Sequence, residues 1–412
     1  MSISVLAAAC SETTPDDAQP LVVPVPRVEA PARTAGFDTT IFRLGVIADL
    51  SGPDAATNRS LLAGVEAYWS TVNALGGVDG RYPVELVVRD VGTSAAAAVN
   101  AYSDLEPDVA AFALVTGSST VDAVRELAAR DQLLVVPGTR QSTWAGVSSL
   151  LPVGSSYAAE SFNGAAWMSR EDAEPAAWCV VTDGSSIGSD LLVGVLLAER
   201  ALDNVGSPAL IDTLVRPHAE VVSEVVEAGC ERLWLAADSM DATAMVEALA
   251  AADVDLAVGV GGEISLPPSP SALGWATEHL TVVTDAPSWG DEGAGASQLR
   301  AAMDAHLPDA RPDSWIRAGF AGQYAVDVVL RSGTIAADVS RGTLWATAGT
   351  LVDVNAGGLA TPFDRPAGAA GAPRAVTVFA VDPIAGDPLG LRVVERFESP
   401  EVGVLEVLNQ PG

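Results

Sequence analysis

The chain has 412 residues, 53 acidic against 22 basic, for a net charge of −31, and every basic residue is an arginine. Its length exceeds what one hydrophobic core usually holds, so two lobes of roughly 150 to 200 residues each are expected. The absence of lysine excludes a P-loop and Schiff-base or pyridoxal chemistry, and the acidic surplus repels nucleic acid and anionic lipid, which bind through basic side chains.

At the start, Leu6-Ala-Ala-Ala-Cys10 has the small-residue pattern of a lipobox, which makes Cys10 a candidate lipidation site. Residues 1–10 then form a partial lipoprotein leader, shorter than a complete secretory signal. Residues 11–40, rich in proline, threonine and acidic residues without a period, are expected to be a disordered tether. No run of about 18 uncharged apolar residues follows, so the mature chain has no membrane span.

From Ile41 short apolar β-rich runs alternate with longer helical patterns: Phe42–Ala48, Val84–Val88, Ala111–Val115 and Leu133–Val136 as strands, with helices over Leu61–Leu75, Ser94–Leu105 and Val121–Arg130. That alternation predicts a parallel α/β sheet. A second series repeats it, with strands at Ala177–Val181, Ala209–Leu214, Arg232–Ala236 and Leu256–Val260 and helices near Ser189–Leu202, Ala219–Ala228 and Ala242–Ala251. Ser148–Val153 and Leu280–Thr284 are extended runs beside glycine, serine or proline, suited to crossing between lobes as hinges. Ala296–Ala346 is mostly helical, and Leu351–Val407 carries strand-like runs at Ala375–Val381 and Leu391–Phe397. The lobes are expected to be 41–149 plus 285–350, and 150–284 plus 351–412. Cys179 and Cys230 could form one disulfide in an oxidising compartment or remain two buried thiols, and their spacing does not choose.

In open parallel sheets ligands settle beyond the carboxyl ends of the strands. The loops to inspect are therefore Asp49–Asn58, Thr116–Thr120 and Pro137–Trp144 in the first series, and Asp183–Gly188, Asp238–Asp241 and Gly261–Pro268 in the second.

Leu44-Gly-Val-Ile-Ala-Asp-Leu-Ser-Gly-Pro53, Gly64, Val72-Asn-Ala-Leu-Gly-Gly-Val-Asp-Gly-Arg81 and Val84-Glu-Leu-Val-Val-Arg-Asp90 resemble the opening of the leucine/isoleucine/valine-binding family of ABC-transporter solute receptors. Thr116–Thr120, Val136–Thr139, Trp178–Asp183, Gly262-Glu263 and Tyr324–Asp327 continue the likeness to about residue 385. The resemblance implies a type I periplasmic-binding fold: two lobes, each a parallel sheet flanked by helices, joined by three crossovers and closing on a ligand by a hinge. It implies a protein that captures a small polar solute and delivers it to a membrane permease; with the lipobox-like Cys10, an extracytoplasmic monomer lipid-anchored to the outer face of the cytoplasmic membrane is expected. The solute would be an amino acid, an amide or a related carboxylate. No cofactor, metal or nucleic acid is implied, and no cysteine or histidine cluster has metal-ligand spacing. A sensor of the same fold that does not transport is the alternative function.

In that family hydroxyls and amides of the first lobe hold a ligand carboxylate, and an acid of the second lobe holds its ammonium. Ser118 and Ser119 follow a strand and open a helix, a ready anion site that is equally a capping position. Gly138, Thr139 and Arg140 match the family's next contact, where threonine is usual in place of Arg140; that guanidinium grips a carboxylate or pairs with a protein acid. Glu263 matches the ammonium-binding acid, and Asp238 ends a strand as a helix cap or a ligand contact. Where the family often has tyrosines around an aliphatic ligand, this chain has Thr57, Ile187 and Asp238, which points to a smaller or more polar solute, or to one gripped by Trp144 or Trp289, although a tryptophan is more often core or interface packing.

Gly184-Ser-Ser-Ile-Gly188 also fits the GxSxG of a nucleophile elbow, with Ser186 as the candidate serine. A hydrolase would need a histidine after an acid, and His218, His279 and His306 are not in evident loops after strands. The same loop matches a ligand-proximal loop of the binding family, so the resemblance implies that Ser186 is a ligand-proximal residue of a non-enzymatic protein, with a serine hydrolase as the remote alternative.

Overall fold

The computed structural model describes residues 30–262, 264, 266–365 and 373–409. Cys10, the leader, residues 11–29 of the expected tether and Glu263 lie outside the described residues.

The strands β1 (Phe42–Ala48), β2 (Val84–Asp90), β3 (Ala111–Val115) and β4 (Val135–Pro137) form a four-stranded sheet in the order β2-β1-β3-β4, every pair parallel. The central strands are apolar almost throughout and β3 is buried along its whole length, as a parallel sheet covered on both faces requires. The helices α1 (Ala55–Ala74), α2 (Ala95–Leu105) and α3 (Ser118–Arg130) follow the strands.

The chain then crosses to α4 (Tyr157–Ser169) and a second alternation: β5 (Trp178–Thr182), α5 (Ser186–Ala201), β6 (Ala209–Asp212), α6 (His218–Glu227), β7 (Arg232–Ala236), α7 (Ser239–Ala251), β8 (Ala257–Gly261), α8 (Leu273–His279) and β9 (Leu280–Thr284). It returns for α9 (Ala294–His306), α10 (Ser314–Ala321), α11 (Gln323–Ile335) and α12 (Arg341–Ala348), with α9 and α10 packed on α1 and α11 on β3. A last crossing adds β10 (Val376–Val381) and β11 (Leu391–Phe397) to the second sheet, whose order is β11-β10-β9-β8-β7-β5-β6. β10 runs antiparallel to both neighbours; the other pairs are parallel. Three connections thus join two sheets, as the type I periplasmic-binding fold requires.

Glycine fixes the return of α10. A Cβ on Gly64 would lie 2.0 Å from the Ile316 carbonyl oxygen, and one on Gly319 would lie 2.0 Å from that of Leu61. The two backbones meet so closely that only hydrogen fits at either position.

Two expectations change and one open alternative is decided. The tether does not extend to residue 40: Thr34 bridges Phe37, Phe37 bridges Phe42, and the Phe37 ring is 1% exposed, 4.5 Å from that of Phe42 and 5.1 Å from that of Tyr82. Leu280–Thr284 is no crossing but a strand paired on both sides, and the crossing begins after it at Asp285. Cys179 and Cys230 are joined as a disulfide with their Cα atoms 5.7 Å apart, tying the amino end of β5 to the turn before β7.

Candidate functional site

The carboxyl ends of both sheets face one cleft. A cavity of about 240 Å³ lies there, lined on one side by residues after β1, β3 and β4, and on the other by residues after β5 and β7. Four helices, α1, α3, α5 and α7, begin at this cavity. All four point the positive ends of their dipoles at it, and the first turns of α1 and α3, which no side chain caps, present unpaired amide N–H groups as well.

At the start of α3, Gly117 has φ 79°, a conformation that favours glycine and turns the chain from strand to helix. No side chain caps α3. Ser118 Oγ lies 3.3 Å from Thr139 Oγ1 and accepts a hydrogen bond from Gln141 Nε2 at 3.1 Å. Ser118, Ser119, Gly138 and Thr139 all line the cavity, as do Thr57, Ser186, Ile187 and Asp238 from three of the remaining expected loops, whereas no described residue of Gly261–Pro268 does. Uncapped amides with hydroxyls beside them can hold a carboxylate or a carbonyl oxygen.

Across the cleft the helices are capped from within. Ser185 Oγ accepts from Gly188 N at 2.9 Å, and Asp238 Oδ1 accepts from Met240 N at 2.9 Å and Asp241 N at 3.0 Å. The Asp238 backbone N–H donates in turn to Asp183 Oδ2 at 2.7 Å. Ser185 thus holds the helix while Ser186, one residue on, faces the cavity.

Arg140 separates from this group. Its guanidinium pairs with Glu160 at 3.1 Å and with Asp285, donates to the Ser155 carbonyl at 3.0 Å and lies 5.1 Å from the centre of the Tyr157 ring. Ser155 belongs to the first crossing and Asp285 opens the second, so the side chain ties the connections together. A smaller space of about 60 Å³ lies there, lined by Arg140, Asp285, Arg317 and Gln323 among others. Asp190 of α5 makes a second tie: it accepts from the Ser142 backbone N–H at 3.0 Å, the Ser142 hydroxyl and the Ala158 backbone N–H at 3.1 Å. Burial raises the Asp190 pKa, and those three hydrogen bonds oppose the shift.

Of the two readings open for Trp144 and Trp289, packing holds, and neither lines the cavity. Trp144 is 1% exposed in the core, with its indole N–H on Asp122 at 3.0 Å, and Trp289 is buried beside Asp387. Trp315 of α10 stands in the wall instead, together with Asp49, Asp54 and Met240. The two acids fall in the loop after β1 that the strand-end rule singles out; Trp315 belongs to a helix that reaches the cleft only through the second crossing, and no local pattern marks it.

None of the three histidines lines the cavity that Ser186 shares. His218 faces Asp241 at 3.2 Å and His279 faces Asp255 at 4.0 Å. Among the described residues no group of three or more histidine, cysteine or acidic side chains could hold a metal ion, and no helix is long and apolar enough to cross a membrane.

A family model described as periplasmic binding protein matches residues 42–383. No curated protein matches the chain. Among solved structures, a fatty acid ABC transporter substrate-binding protein from Thermomonospora curvata is similar at TM-score 0.79 and 21% identity, over 90% of this chain and 96% of that one. A branched chain amino acid ABC transporter protein from Thermus thermophilus with bound valine gives TM-score 0.72 and 14% identity, over 88% and 98%. A substrate-binding periplasmic protein from Ralstonia solanacearum gives 0.71 and 19%, over 87% and 99%. At these identities the likeness shows a shared fold.

Proposed function

The chain belongs to the periplasmic binding protein family, and on that premise we propose that it is the extracytoplasmic solute-binding component of an ABC uptake system. It captures a small polar solute by hinge closure and does no chemistry on it. The observation that carries this reading is the cavity between the two sheets, where hydroxyls and helix N-termini of one side face capped helices and an acid of the other. Residues 41–149 plus 285–350 form one closing lobe and 150–284 plus 351–412 the other. Ser118, Ser119, Gly138 and Thr139 take an anionic or carbonyl group, Thr57 and Ser186 shape the wall, and Asp238 faces the ligand's donor groups. The family resemblance gives Glu263 the same role. Arg140 acts at the hinge. Cys10 carries the lipid anchor, and the closed form docks on a membrane permease as a monomer.

Two observations speak against a hydrolase: Ser186 has no histidine beside it in the cavity, and Ser185 of the same GxSxG is engaged as a helix cap. A sensor without transport would use the same cleft.

A thermal-shift screen over amino acids, amides, ureas, polyamines and small carboxylates tests the reading, since ligand at 100 times its dissociation constant adds about 2.7 kcal/mol of stability. A hit that Ser118→Ala weakens is the expected result. No stabilisation by any class, or a hit that cleft substitutions leave unchanged, would overturn it.

A further inference from the structure

The cleft is charged in one sense. The ionisable side chains lining the 240 Å³ cavity among the described residues are Asp49, Asp54 and Asp238, and no arginine or histidine stands with them. The nearby arginines are engaged elsewhere: Arg59 donates to the Leu50 carbonyl, Arg317 to the Pro287 carbonyl at 2.9 Å, and Arg140 to Glu160 and Asp285.

Two of the acids hold bonding capacity in reserve. Asp49 is 5% exposed; its Oδ1 accepts from Ser51 N at 3.2 Å and Gly52 N at 2.6 Å, while Oδ2, fully buried, has no partner among the described residues. A buried carboxylate oxygen without a donor is costly, and a cation held in the cavity that Asp49 lines would offset its charge. Asp54 occupies the N-cap position of α1, where an aspartate ordinarily bonds the helix amides, yet its side chain makes no capping bond. Burial pushes its carboxyl above the usual range, and the charges of Asp238 and Asp49 push it further, so these groups crowd one another across the cleft.

We propose that the ligand of this cleft is a cationic solute, an amino acid or amine bearing a guanidinium or ammonium group that Asp49, Asp54 and Asp238 hold together, with any carboxylate seated at the start of α3. This rests on the reading of the cleft as a solute site and names its substrate class. Room for a long side chain exists, because a second cavity of about 460 Å³ adjoins the first through Thr57, Ser239 and Trp315. Trp315 offers an aromatic face to a cation passing between them. The chain's net charge of −31 would raise the local concentration of such solutes at the entrance.

Isosteric pairs separate charge from shape. Calorimetric titration of the whole protein would compare L-arginine with L-citrulline and L-lysine with L-norleucine, with agmatine and L-glutamate added. In at least one pair the cation should bind about tenfold or more tighter than its neutral partner, a difference of the size one partly desolvated charge contact gives. Asp54→Asn should remove most of that preference while the apo protein keeps its melting temperature; Asp49→Asn is the second variant. Neutral or anionic probes binding as tightly as the cations would overturn the proposal and leave the solute reading standing. The same holds if the wider screen yields only uncharged or acidic hits. If neither panel nor screen gives any binding, both fall. A cation preference that survives Asp54→Asn and Asp49→Asn together would also overturn the assignment to these carboxylates.

Discussion

The hinge and the cleft lie side by side and treat charge in opposite ways. At the hinge, Arg140 meets two carboxylates and a carbonyl, and Asp190 receives three donors. In the cleft, α3 is uncapped, Asp54 makes no capping bond and Asp49 Oδ2 has no partner among the described residues. Satisfied charges tie the first two connections together, and unsatisfied ones are left for something that is not part of the chain. A protein that must close on a ligand needs both, since a floppy hinge would spend binding energy on ordering and a self-satisfied cleft would have nothing to offer.

The sharpest break in that contrast is Arg140→Ala. It strands Glu160, whose side chain is fully buried, and Asp285, whose side chain is 10% exposed, and should cost about 3–5 kcal/mol in denaturant unfolding. If stability stays within error, the hinge is not built on this pair. Next comes the disulfide, which lies at the strand ends away from the cleft and spans 51 positions. Replacing Cys179 and Cys230 by serine should lower stability by about 4 kcal/mol through loop entropy, without changing ligand affinity per folded molecule.

Cleft substitutions should behave the other way. Ser118→Ala is expected to leave stability within about 0.5 kcal/mol and to weaken an identified ligand roughly tenfold, the worth of a hydrogen bond to a charged group. A loss of stability without a loss of binding would make Ser118 a structural residue.

Asp54 gives a smaller, signed effect. Its folded pKa is raised, so the folded state holds the proton more tightly than the unfolded one, and apo stability falls as pH rises through that pKa. Asp54→Asn removes this term, so the variant should match or exceed the parent at neutral pH and lose that advantage in acid. Melting curves across pH check it; a variant less stable at neutral pH would place Asp54 with the satisfied groups. The smallest expected effect is zero: Ser186→Ala should change no ester hydrolysis, because none depends on it.

Some of this architecture is plain in local sequence and some is not. The apolar runs of β1 and β3 predict buried parallel strands because hydrophobic period is local, and the serine after Gly117 marks the helix start although no side chain caps it. Leu280–Thr284 misled because an apolar run between a helix and a proline-serine turn suits either a crossing or a buried strand; its partners β8 and β10 decide, and β10 lies about a hundred residues on. For Trp144 and Trp289 core packing and ligand contact were both open from sequence, and burial decides for packing.

What the sequence determined by itself is therefore the series of strands and helices, the family resemblance and the loops that reach the cleft, all written within stretches of some ten to fifty residues. What only the tertiary structure decided is the partnership of charges. Arg140 could grip a ligand or pair with an acid until Asp285, 145 positions away, was seen against it. Asp49 and Asp54 became notable only when folding placed Asp238 opposite and brought no base between them. Electrostatic energy depends on separation in space, and the sequence records separation only along the chain.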